Sequence, residues 1–171
     1  YDVGKDTSVA GMIAQGLSRR PAPLPTIVYA AENHNHAAEL LREDVLKHAA
    51  PAALQGVQML NTVIGKMSGV ITDSEAVARL GLATMTPSLP RAVLVEEFNR
   101  ILISRVALPG FRRGIDVFIE KDDLLPFEEA KLYGHNAIHA MMGYLADLRG
   151  LTVMAQVAGD AWILDAARRA F

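Results

Sequence analysis

The chain has 171 residues, about one average domain, and its 51% hydrophobic and 21% charged residues are enough to bury a real core. Seventeen basic against nineteen acidic side chains leave a net charge of −2, which excludes nucleic-acid binding by bulk positive charge. It has no cysteine, which excludes a disulfide framework, an iron–sulfur cluster and a thiolate zinc site, and permits the cytoplasmic location expected here. The chain opens on Tyr1, with Asp2, Lys5 and Asp6 where a leader would need apolar residues, so no signal peptide is expected and an internal fragment is. In residues 7–17 Val9, Met12, Ile13 and Leu17 recur at helical spacing, with Thr7 or Ser8 as cap. After Pro21, Pro23 and Pro25, the β-branched run Thr26-Ile27-Val28-Tyr29-Ala30-Ala31 reads as a buried strand. A polar turn, Glu32-Asn33-His34-Asn35-His36, leads into a helix over residues 37–48, with Asn35 as its cap. A second strand follows over residues 56–61.

This rhythm predicts an α/β layer, and it puts Asn33 at a strand's carboxyl end, where open α/β sheets hold ligands. Alanine, leucine and methionine dominate afterwards, and a boundary near residue 62 is expected. Leu125-Pro126 starts a helix that runs through Leu148 and ends at Arg149-Gly150, and Thr152 is read as the cap of a last helix. The fold class is thus α/β followed by mostly α. The charge-free stretch over residues 48–65 is broken by Pro51, Gln55, Gln58 and Asn61, so no membrane span is expected.

The segment over residues 126–139 is the richest in chemistry. On an α-helical wheel Lys131, His135, His139 and Asn136 fall at about 0°, 40°, 80° and 140°, a solvated face or the wall of a site. Gly134 interrupts the helix at a cost of about 1 kcal/mol against alanine. His135 and His139, four apart, have the spacing of a metal clamp, and His34 and His36 could add ligands. No glutamate follows His135, however, so the His-Glu-x-x-His motif is not met. Met141, Met142 and Met154 could instead line the groove of a non-catalytic helical interaction domain, although methionine at helical spacing also suits plain core. Arg112-Arg113, flanked by glycines, reads as a solvated turn or an anion contact.

Lys-x4-Asn-x2-His, at Lys131, Asn136 and His139, resembles the signature of the polyol-specific long-chain dehydrogenases, which include mannitol dehydrogenase, mannitol-1-phosphate 5-dehydrogenase and the hexuronate reductases. Ala31-Glu32-Asn33, Val95-Glu96-Glu97-Phe98 and Pro126-Phe127-Glu128 resemble family segments in the same order. The resemblance implies the end of a Rossmann-like nucleotide-binding domain over residues 1–62 and part of a helical substrate domain over residues 63–171. It implies an NAD-dependent oxidoreductase of a sugar alcohol, with NADP left open and a hexuronate reductase as the alternative. Lys131 would be the general acid/base, Asn33 and Asn136 the oxyanion donors, and His139 a ligand for a substrate hydroxyl. Glu128 would relay protons, or simply pair with Lys131 one turn away. Val3, Gly4 and Asn33 would touch the cofactor.

A lysine base can do this chemistry without metal once its pKa is lowered, so no metal is expected. The family's Val-Asp-Arg-Ile segment, whose aspartate helps bind the polyol, here reads Ile64-Gly65-Lys66-Met67, without that carboxylate. No Gly-x-Gly-x-x-Gly loop occurs, so the 171 residues alone are expected to be inactive. The expected ligand is a small polyol or polyol phosphate, with neither nucleic acid nor membrane as partner.

Overall fold

The computed structural model describes residues 7–66, 68–97 and 100–171. Val3, Gly4, Met67 and Phe98, read above from the sequence, lie outside them. Helix α1 (Val9–Ser18) is capped by Ser8, whose hydroxyl accepts from the Gly11 amide at 3.0 Å. Its buried residues are Ala10, Gly11, Ala14 and Leu17, while Val9 and Met12 face outward. The small residues let α1 lie close on helix α2 (Ala37–Leu46), where Leu41, Val45 and Leu54 complete a core against Val28, Val57 and Met59. Full burial of side chains such as Leu41 and Val45 contributes about 1.5–3 kcal/mol each.

Strand β1 (Thr26–Ala30), α2 and strand β2 (Val57–Val63) form a βαβ unit with β1 and β2 parallel, Thr26 opposite Val57 and Ala30 opposite Asn61. The α/β layer is therefore where the sequence predicts it. The cap of α2 is not. Asn35 does not fill that role: the buried Asn61 of β2 accepts from the Ala38 amide through Oδ1 and donates from Nδ2 to Glu39 Oε2, each at 2.8 Å. The His36 amide is held by His34 Nδ1 at 3.1 Å. One side chain from the sheet thus does the work of a local cap and locks the strand to the helix start.

Beyond residue 62 the chain is not yet helical. Strands β3 (Ser68–Ile71), β4 (Thr84–Thr86) and β5 (Leu89–Val95), with the short helix α3 (Ser74–Arg79) between the first two, form a separate three-stranded antiparallel sheet in the order β3-β5-β4. Strands β6 (Ile101–Ser104) and β7 (Phe118–Lys121) then return to the first sheet, which runs β1-β2-β6-β7 with β6 antiparallel to β2. Residue 62 therefore lies inside β2, and the sheet takes strands from both sides of it. Ile101, Ile103 and Phe118 form the core there, with the Tyr29 and Phe118 rings edge to face at 4.6 Å.

The mostly helical part begins with helix α4 (Leu125–Glu129), whose Leu125 amide donates to Asp123 Oδ1 at 3.1 Å. It continues as a π-helical segment (Ala130–Asn136) and helix α5 (Ala137–Leu148). A 3-10 segment (Met154–Gly159) precedes helix α6 (Ala161–Ala170). Thr152 is not the cap of that last helix: Asp160 Oδ1 accepts from the Trp162 and Ile163 amides, both at 3.1 Å. A carboxylate directly before the helix satisfies two open N–H groups, and Thr152 lies too far upstream to do so. Ala146, Val157 and Ile163 pack this part together, and Met142 packs on them as core. Among the described residues no helix is long and apolar enough to cross a membrane.

Candidate active site

The carboxyl ends of β1 and β2 and the π-helical segment meet around one cavity. Its volume is about 380 Å³, and its lining includes Glu32, Asn33, Thr62, Lys66, Glu96, Lys131, His135 and Asn136. The central contact joins residues distant in the chain: Lys131 Nζ donates to Asn33 Oδ1 at 2.5 Å. Asn136 Oδ1 lies 3.1 Å from His135 Nδ1. An amide oxygen only accepts, so in this arrangement the His135 tautomer with its proton on Nδ1 is the donor. Both asparagines thus spend their oxygens on neighbours and keep their NH₂ groups for a ligand oxygen.

The local winding explains how one segment supplies three of these groups. Lys131 and Asn136 sit about 140° apart on an α-helical wheel. In a π-helix, bonded i→i+5, residues five apart come much nearer the same face, and such segments recur at functional sites. Gly134 lies inside this stretch, and a Cβ there would stand 3.4 Å from Phe171 Cε2, an ordinary contact.

A second, much smaller cavity of about 20 Å³ lies between Asn33, Thr62, Glu128, Lys131 and Asn136, room for roughly one water. Glu128 is 8% exposed and makes no ion pair with Lys131, so the simple i,i+3 pair does not form. Burial raises the Glu128 pKa, the Glu39 charge raises it further and the His36 charge opposes this. Burial alone lowers the Lys131 pKa from the ordinary 10.5. Both shifts favour the neutral forms and suit proton exchange.

The raised Glu128 value makes a stability prediction. An acid whose folded pKa is raised contributes its full share of stability below its ordinary value of 4.5, and this is lost as the pH rises through the folded value. Glu128→Gln is therefore expected to melt higher than the parent at about pH 8, with the difference closing by about pH 4. A Gln variant that melts lower at alkaline pH would show that the carboxylate is stabilised by its surroundings.

His139 does not line either cavity; its ring stacks on His135 with centroids 4.4 Å apart. His135, read in the sequence as part of the polar helix face and as half of a metal clamp but given no catalytic role, is the histidine at the wall. Among the described residues no group of three or more His, Asp or Glu side chains could hold a metal ion. Arg113 pairs with Glu120 at 3.0 Å, away from the site. Thr62, whose hydroxyl donates to the Ala30 carbonyl at 3.0 Å, was missed in the sequence because a threonine in a strand carries no signal of its own.

A parallel βαβ unit with a polar cavity at its carboxyl ends, followed by a helical segment that supplies a lysine, defines a Rossmann-like fold joined to helical structure. The same fold occurs in Pseudomonas fluorescens mannitol 2-dehydrogenase, solved as a ternary complex with NAD and D-mannitol: the TM-score is 0.70 at 22% identity, covering 94% of this chain and 34% of that one. In sequence, the chain is 30% identical over 151 residues to the mannitol-1-phosphate 5-dehydrogenase of Bacillus velezensis, covering 88% of this chain and 38% of that protein. It is 31% identical over 159 residues to that of Caldanaerobacter subterraneus subsp. tengcongensis, covering 90% and 38%. No family model matches it. The chain is thus similar in sequence to mannitol-1-phosphate 5-dehydrogenases along nearly all of its own length, and it spans under two fifths of the length of these curated relatives.

Proposed function

We propose that the protein carrying this chain is an NAD-dependent oxidoreductase that interconverts a sugar alcohol, of the mannitol or mannitol 1-phosphate type, and its keto-sugar. The observation that carries this reading is the Lys131–Asn33 hydrogen bond at the wall of the cavity, with Asn136 beside it. The relatives' names and the fold shared with an NAD and D-mannitol complex support it. The residues present fit the nicotinamide end of the cofactor, since the cavity opens at the carboxyl ends of parallel strands and Ala31, Glu32 and Asn33 form one side of it. When bound, the nicotinamide accepts or returns the hydride.

The chain's own residues supply the rest. Lys131, whose pKa partial burial lowers, takes the hydroxyl proton in its neutral form as the alcohol is oxidised and returns it in reduction. The NH₂ groups of Asn33 and Asn136 donate to the oxygen as negative charge develops on it. Glu128 exchanges the proton with Lys131 across the small cavity, through one water. His139, stacked behind His135, acts on the substrate through that ring. A hexuronate reductase is the second reading, because the cationic Lys66 at the wall suits a carboxylate as well as a phosphate.

The test is nicotinamide reduction by the protein with D-mannitol and with mannitol 1-phosphate. Turnover with one of them is expected, unchanged after exhaustive chelation. Loss of turnover that added zinc restores would overturn the metal-free mechanism, and no turnover with polyols but reduction of a keto-hexuronate would favour the second reading.

A further inference from the structure

The cavity has three walls of different chemistry. The turn after β1 brings Asn33, and the π-helical segment brings Lys131, His135 and Asn136. The third wall, Ile64, Gly65 and Lys66 after β2, carries one polar side chain, the Lys66 ammonium. An ammonium only donates, and it is a compact, strongly hydrated charge. A neutral polyol hydroxyl compensates poorly for the water it would displace there, whereas an anion compensates well.

Two observations leave that charge free for a ligand. Among the described residues Lys66 makes no hydrogen bond or ion pair. Burial alone lowers the Lys131 pKa, so the Lys66 charge is not used to tune the base. Glu32 and Glu96 also border the cavity, and the Ser68–Val95 pairing brings Glu96 to the same end as Lys66; the Glu96 side chain has an interaction of its own, so Lys66 is the cation there that can meet an anionic group.

We propose that Lys66 is a specificity-determining residue of this site, its ammonium seating an anionic substituent of the polyol, a phosphate or a carboxylate, remote from the reacting carbon. The inference rests on the polyol-dehydrogenase reading for its reaction, and not for its binding chemistry. The volume of about 380 Å³ falls within the range of small-ligand sites.

The test compares the parent protein with Lys66→Met and Lys66→Arg. Binding of mannitol 1-phosphate, D-gluconate and D-mannitol is measured by calorimetry, and kcat and KM on whichever of them turn over. Lys66→Met is expected to weaken one or both anionic ligands by about tenfold or more, with KM raised, kcat within about twofold and D-mannitol unaffected; Lys66→Arg restores most of the binding. Weakening of the phosphate alone or of the carboxylate alone assigns the substituent. Equal weakening of the neutral polyol, or no change with either anion, overturns the proposal. Lys66-dependent anion binding without turnover of any polyol would sustain it while removing the dehydrogenase reading. Turnover that ignores Lys66 would do the reverse.

Discussion

Lys131→Ala is expected to lower kcat about 10²- to 10⁴-fold, the range of a positioned general acid/base, with KM for the polyol changed much less. The residue is placed for this by two features that a solvated lysine would lack: its Nζ is fixed on Asn33 Oδ1 at 2.5 Å, and partial burial lowers its pKa. The pH profile should carry the same signature. Alcohol oxidation needs the neutral amine, so kcat/KM rises as the pH climbs through the lowered Lys131 value. Carbonyl reduction needs the ammonium and falls over the same interval. In Lys131→Ala that limb disappears from both directions, and a small primary amine added to the buffer should restore part of the rate. Near-normal turnover in the variant would mean that the lysine face only meets solvent, and the site assignment would fall with it.

How much of this was legible in the sequence depended on whether the signal was local. β1 and α2 announced themselves by a β-branched run and an alanine–leucine helix, and the long helix from Leu125 by its proline start and glycine stop. β6 and β7 did not, because short runs such as Ile101-Leu102-Ile103, with only three apolar residues, mark a strand only when a partner is known. The β3-β5-β4 sheet was hidden for a related reason: its strands keep much of their apolar surface outside, with Val70, Met85 and Leu94 all exposed, so no buried pattern marks them. At the site, Lys131 and Asn136 came from the motif and Asn33 from the turn after the first strand, but a contact between residues 33 and 131 cannot be read from spacing. The π-helical winding is likewise a choice of hydrogen-bond partner and leaves no compositional trace. It explains why the α-helical wheel separated Lys131 from Asn136.

The winding also sets up the second large effect. Asn136→Ala is expected to cost about 2.7–4 kcal/mol of transition-state stabilisation, a loss of about 10²–10³ in kcat, as for other oxyanion donors. With the His135 proton on Nδ1, the ring holds the Asn136 oxygen at 3.1 Å and leaves the NH₂ aimed at the cavity before the substrate arrives. Such a donor needs no reorganisation as the alkoxide forms, and its loss therefore falls on kcat more than on KM. Asn136→Asp separates this role from packing, since the side chain keeps its shape but replaces the donor with a charge that repels the alkoxide. It should be at least as damaging as alanine, with a melting temperature close to the parent's. Asn33 offers no equally clean test, because its removal also frees Lys131. An Asn136→Ala protein within about threefold of the parent kcat would show that the developing charge is held elsewhere, leaving Asn33 as the donor and Asn136 as a support for His135.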